Sequence, residues 1–142
     1  MNLSSETFNV LKNFSNISPS LVVKTGNTLR TISPMKNIYA KYNGGETFDR
    51  DFALYDLNEF LSGVSLFKDP DFLFDESHVK IKSGRSSVKY FYSDASVITA
   101  PPEKDIALPS EDVTFQLSDV DLNSLLKACL LYTSDAADDL WC

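Results

Sequence analysis

The side chains best equipped for chemistry in this 142-residue chain are few and poorly matched to one another. The only histidine, His78, follows Asp75 and Glu76 in a stretch that reads as a loop. A general base needs a nucleophile and an orienting partner, and no Ser/His/Asp arrangement with motif context accompanies it. A solvated loop histidine is the better reading. Asp49 and Asp51 flank Arg50. Strand alternation would put both carboxylates on one face, where such a pair could hold Mg²⁺. With Arg50 between them, a surface charge cluster is the better reading. No G-x-x-x-x-G-K-[ST] loop is present to cradle a nucleotide phosphate. Cys129 and Cys142, the two cysteines, form no C-x-x-C or Cys/His group with zinc-site spacing. The expectation is a protein without catalysis, metal or cofactor.

Other groups suit binding rather than reaction. Asn9, Lys12, Asn13 and Asn16 fall at i, i+3, i+4 and i+7. They make one helical face of neutral amides plus one lysine, with no carboxylate on it. Asn123 and Lys127 lie four apart in a later helical stretch. Tyr90, Phe91 and Tyr92 beside Lys89 could stack bases, although a strand with one face in the core accounts for them more simply. Lys and Arg number 13 against 20 Asp and Glu, a formal net charge of −7. That argues against a protein held to nucleic acid by a broadly basic surface, and leaves room for a small basic strip.

The elements that must position these residues can be read from spacing. Ser4 and Ser5 start a helix whose apolar side is Val10, Leu11, Phe14 and Ile17. Short runs follow, at Leu21–Lys24, Leu29–Ile32 and Ile38–Tyr42. They are punctuated by Gly26-Asn27, Pro34 and Asn43-Gly44-Gly45, and read as an antiparallel meander. Phe52–Tyr55 reads as a strand running into a second helix. Asp56 caps that helix, Glu59 completes a capping-box-like pair, and Leu57, Phe60, Leu61 and Val64 form its apolar stripe. Asp69-Pro70-Asp71 reads as a turn. Val79–Lys82, a Ser83-Gly84 turn and Ser87–Tyr92 read as a hairpin, and Ser96–Thr99 as one more strand.

Pro101, Pro102 and Pro109 mark an extended linker, placed at residues 101–111 after a first domain of residues 1–100. Val113–Leu117 then reads as a strand. Ser118 caps a third helix with Leu122, Leu125 and Leu126 on its apolar side. The opening of the chain recurs here. Leu3–Leu11 lies on Leu117–Leu125 at an offset of 114 residues, with Leu-Ser, Asn and the later Leu coinciding. The offset is a plausible domain length and falls just past the linker, so residues 112–128 read as the start of a second copy.

Several stretches together carry a family resemblance. They are Leu11-Lys12-Asn13-Phe14, Tyr55-Asp56-Leu57-Asn58 with Phe60-Leu61, Ser65-Leu66, Ile81-Lys82 and Ala100-Pro101. In this order, over roughly residues 1–128, the chain resembles the sliding clamps of T-even-type bacteriophages. The resemblance implies an α+β DNA-clamp fold, an antiparallel sheet with two helices on one face, with one complete domain and the start of a second. It implies a homotrimeric ring around duplex DNA, helices lining the hole, and subunits joined by pairing edge strands. The ring would hold the replicative polymerase on its template in the cytoplasm of an infected bacterium, and an ATP-driven loader would open and close it. Lys12, Asn9, Asn13 and Asn16, with Lys127 and Asn123, would then face the DNA without reading its sequence. The second helix, with Glu59, offers no base.

From Cys129 onward the pattern breaks. Residues 129–142 resemble translated sequencing-adapter sequence and are expected to be a non-native tail. With one full domain where a ring subunit needs two, a third helix with no sheet to cover would leave Leu122, Leu125 and Leu126 exposed, unless they pack back on the first domain. The residues from Met1 onward carry no basic-then-apolar leader, and no apolar run reaches the ~20 residues of a membrane span. A secreted or membrane protein is therefore not expected. Two other classes fit the composition: a small β-rich single-stranded nucleic-acid-binding module, and a capsid or other interaction protein built on an antiparallel sheet.

Overall fold

The computed structural model describes residues 1–135, with side chains to residue 131. The elements are α1 (Ser5–Ile17), β1 (Leu21–Val23), β2 (Gly26–Ile32), β3 (Tyr39–Phe48), β4 (Phe52–Leu54), α2 (Leu57–Ser65), β5 (Asp71–Phe74), β6 (His78–Ser83), β7 (Ser86–Phe91), a 3-10 turn (Ala95–Val97) and α3 (Asp119–Asp135). The class is α+β. All strand pairs are antiparallel, but the hydrogen bonding divides them into β1-β4, β2-β3 and β5-β6-β7. The chain forms two compact units, Met1–Glu103 and Lys104 onward.

In the first unit, α1 packs on α2 and across β2 and β3. Its inward residues are Thr7, Leu11 and Phe14. α2 contributes Leu57, Phe60, Leu61 and Val64, which join Leu21, Val23, Leu29, Phe72, Val79 and Ile81 in one core. Leu57 is fully buried, and removing such a side chain from water contributes about 1.5–3 kcal/mol. Phe60 links α2 to the three-stranded sheet, its ring 5.6 Å from Tyr90 and 6.4 Å from Phe72.

Helix starts follow the sequence closely. Ser4 Oγ accepts from Thr7 N at 3.2 Å. Asp56 accepts from Glu59 N at 2.9 Å. The expected return bond from Glu59 is replaced: Asp56 N donates to Tyr90 Oη at 3.2 Å, and that hydroxyl donates to Asp56 O at 3.1 Å. In the second unit Ser118 Oγ accepts from Asp121 N at 3.1 Å. The Ser4 and Ser118 caps are thus alike at the repeat offset.

The strands depart from expectation in several places. Gly26-Asn27 opens β2 instead of separating two runs, and β1 pairs with β4, so the first three strands are not one meander. Asn43-Gly44-Gly45 does not end β3, which continues to Phe48. Pairing slips between Thr28↔Asn43 and Gly26↔Phe48, so extra residues of β3 are absorbed as a bulge. A Cβ at Gly44 would stand 2.7 Å from Tyr42 Cε1, so any larger residue there would force the Tyr42 ring to shift. The Asp69-Pro70-Asp71 turn is shorter than expected, and Asp71 already opens β5. Ser96–Thr99 is not a strand. Asp94 accepts from Ser96 N at 2.9 Å and folds Ala95–Val97 into a 3-10 turn, a local bond that competes with extended structure. Val113–Leu117 is likewise irregular and exposed. The equivalent opening of the first unit is held by β5, where Phe72 N donates to Met1 O and Met1 N to Phe72 O. Among the described residues, Val113–Leu117 has no such strand to pair with.

Asp51 shows how a loop between these pieces is fixed. It accepts from Thr25 N at 2.7 Å and Thr25 Oγ1 at 2.8 Å, and pairs with Lys24 Nζ at 3.0 Å. The Thr25 bonds, with the lysine, hold its pKa down from 3.8 to about 2. A depressed carboxylate contributes stability above its unfolded pKa and loses it as pH falls through the folded value. The urea midpoint of the protein should therefore exceed that of Asp51→Asn by a constant margin above pH ~4, and the margin should vanish as pH approaches ~2. A margin unchanged down to pH ~2 would remove Asp51 from this role.

Candidate nucleic-acid interface

Burial of Thr7, Leu11 and Phe14 turns the opposite side of α1 to solvent. Asn9, Lys12, Asn13 and Asn16 are all exposed there, so the structure brings these residues together on one face. Asn13 Nδ2 donates to Asn9 O at 3.1 Å. Lys12 Nζ lies 4.7 Å from the centre of the Phe8 ring, a cation–π contact that steadies the ammonium along the helix without neutralising it. Sequence reasoning misses Phe8, although its i, i+4 spacing to Lys12 is a usable signal. The face is not wholly free of acid at its border. Glu6, exposed in the first turn, stands three residues before Asn9 and flanks it.

What orients α1 is a carboxylate from β3. Glu46 accepts from the Ser4 backbone N–H and from Thr7 Oγ1. Burial pushes its pKa up, but these hydrogen bonds outweigh it and hold the group below its ordinary value. A carboxylate against the first turn also meets the positive end of the helix dipole, an effect of about 0.3–1 kcal/mol. This residue, roughly forty positions away in the chain, carries no sequence signal linking it to the helix.

α2 turns Asn58, Glu59 and Ser62 outward, so Lys12 is the one base on the two helices of the first unit. In the second unit Asn123 and Lys127 are exposed on α3. So are Leu122, Leu125 and Leu126, each about half accessible. Exposure on α3 therefore selects no face.

The remaining chemistry is spoken for. His78 is not in a loop: it opens β6, only 15% exposed, with Nδ1 3.2 Å from Ser77 Oγ and Nε2 4.0 Å from Asp75. Asp49 pairs with Arg50 at 3.5 Å, while Asp51 serves Lys24 and Thr25. A hollow of about 220 Å³ beside β1 and β2 includes Lys24 and Arg30. Lys24 is paired with Asp51 and lies 3.9 Å from Glu103, and Arg30 donates to Glu103 O at 2.6 Å. The aromatic triplet divides as a half-buried strand does. The Tyr90 hydroxyl caps α2, Tyr92 stacks on Phe52 at 5.0 Å, and Phe91 alone points out. Burial pushes the Tyr92 pKa up to about 12. No three-ring stacking platform is formed.

Comparison with known proteins bears on the same region. The family model described as DNA polymerase processivity factor matches residues 4–100, from the cap of α1 past the 3-10 turn. The sliding clamp of Escherichia phage RB69 is 35% identical over 129 residues, covering 89% of this chain and 56% of its own length. That of Vibrio phage KVP40 is 33% identical over 132 residues, covering 90% and 59%. The sliding clamp of Enterobacteria phage T4 is 33% identical over 129 residues, covering 89% and 56%. The chain thus spans a little over half the length of these relatives. With the family match running through both core helices and all seven strands of the first unit, the chain belongs to the DNA polymerase processivity factor family.

Proposed function

We propose that this chain is part of a sliding-clamp subunit that encircles duplex DNA and tethers a replicative DNA polymerase, without catalysing a reaction itself. The observation that carries the reading is the outward face of α1: three amides and one lysine on a chain of net charge −7. A clamp is retained by topology and must still slide. Each phosphate neutralised by a base adds salt-dependent affinity, so many bases would hold the ring in place. One lysine per helix gives weak attraction that is blind to sequence, and amides exchange hydrogen bonds readily between phosphate and water. The shared name of the three relatives supports the same reading.

In this proposal residues 1–100 are the first clamp domain, 101–111 the linker and 112–128 the start of a second domain, with Asn123 and Lys127 repeating the role of Asn9, Lys12, Asn13 and Asn16. Residues 129–142 are a non-native tail. The complete subunit would form a trimeric ring, opened by an ATP-driven loader, in the cytoplasm of the infected host. No described helix is long and apolar enough to cross a membrane.

The domain proposal is tested by reading the source DNA past codon 128. A frame that continues for roughly 100 further residues, opening a second capped helix and meander, is the expected result. A frame that encodes Cys129 to Cys142 and stops would exclude a two-domain ring subunit. The interface proposal is tested on linear duplex DNA by fluorescence anisotropy across a salt series. Lys12→Ala should make the slope of log affinity against log salt shallower by about 0.9, the share of one phosphate that the lysine neutralises. An unchanged slope would take Lys12 off the DNA.

A further inference from the structure

We propose that the outer face of the β5-β6-β7 sheet binds single-stranded DNA, through a strip of cations beside an exposed aromatic ring. Alternation fixes the face. Phe72, Val79 and Ile81 are buried, and Phe60 of α2 packs on that inner side against Phe72 and Tyr90. Leu73, Lys80 and Lys82 therefore stand on the opposite side of the sheet. Register puts Lys89 directly across from Lys80, and Phe91 across from His78. Tyr92 N donates to Ser77 O at 3.0 Å. Both pairs are thus of the narrow, non-hydrogen-bonded kind, with Cα atoms about 4.5 Å apart. Pairing at the edge of β7 would engage backbone groups and leave these side chains standing on the face.

Charge is the first observation. Lys80, Lys82 and Lys89 are neighbours on this face, and Arg85 occupies the turn between β6 and β7. Among the described residues none of these cations forms an ion pair, although the chain carries a net charge of −7. Asp71, across from Lys82, lies 3.9 Å from the Met1 ammonium instead. Like charges directly opposite one another destabilise a sheet, so an anion between Lys80 and Lys89 would relieve them. Lys80 and Lys82, two residues apart on one strand, are about 6.6 Å apart. Successive phosphates of an extended single strand can match that step.

The ring is the second. Phe91 is 67% exposed on the same face, two residues along β7 from Lys89. His78 backs it, with ring centroids 5.5 Å apart, and is itself flanked by Ser77 and Asp75. An exposed ring beside unanswered cations can stack an unpaired base, whatever the base. A duplex keeps its bases stacked on one another, so it could use the lysines but not the ring. An acidic peptide could answer the lysines and would leave the ring face without a planar partner. The family acts with a DNA polymerase, and a polymerase copies a single strand that adjoins the duplex.

The test uses the full chain at low salt with a labelled dT oligonucleotide of about 12 nucleotides. A duplex, an abasic oligonucleotide of the same length and a peptide alternating Glu and Val are the comparisons. Binding is read by anisotropy and by amide shifts in NMR. The dT strand should bind with shifts centred on Lys80, Lys89 and Phe91. Phe91→Ala should weaken it on the order of tenfold. Lys89→Ala should make the slope of log affinity against log salt shallower by about 0.7. Unaltered shifts on β4 and α2 establish that both variants are folded. Lys12→Ala should leave dT binding unchanged, which keeps this result separate from the duplex reading of α1. Failure of dT to bind would overturn the proposal, as would abasic binding of equal strength or indifference to Phe91→Ala. Stronger binding of the duplex or the Glu/Val peptide at these residues, or loss of dT binding in Lys12→Ala, would also overturn it.

Discussion

The first unit depends on one constraint: α1 must be held by its inward side strongly enough to leave the outward side with no structural duty. Leu11 and Phe14 supply the apolar hold. They do not fix how the first turn is seated. Glu46 does that, by accepting from the Ser4 amide and the Thr7 hydroxyl, so that a buried threonine and the backbone of the cap residue are satisfied together. The carboxylate comes from β3, which pairs with β2, and β2 lies under the same helix. Helix, meander and cap therefore stand or fall together, and Asn9, Lys12, Asn13 and Asn16 are released from packing.

The electrostatics follow from that division. An acidic chain can approach DNA only through places where acid is sparse. α1 is such a place because its outward residues are amides and its lysine is engaged by an aromatic ring rather than a carboxylate. α2 is not a second one, since Glu59 faces out beside it. In the proposed role the attraction would be small and local.

Much of this is legible in the sequence because it is local. Ser4, Asp56 and Ser118 cap the helices they precede, and the apolar stripes of α1 and α2 are buried as their spacing requires. What escapes is non-local. Asn43-Gly44-Gly45 has the composition of a turn, yet a register slip against β2 carries the strand through it. β5 is hidden behind the Asp69-Pro70-Asp71 turn. Val113–Leu117 has strand composition without a strand to pair with. Tyr90 takes the place expected for Glu59 at the α2 cap, and Glu46 reaches α1 from β3; neither bond follows from spacing. The polar face of α1 stands as its spacing predicts, apart from Glu6 at its border. Its purpose comes from resemblance and not from the residues alone.

Whether the outward face of α1 is the surface turned to DNA is tested most directly by NMR with a spin-labelled duplex at low salt. Line broadening should concentrate on the amides of Asn9, Lys12, Asn13 and Asn16, independent of DNA sequence and abolished by raising the salt. Broadening centred on β6 and β7, with α1 untouched, would contradict that orientation.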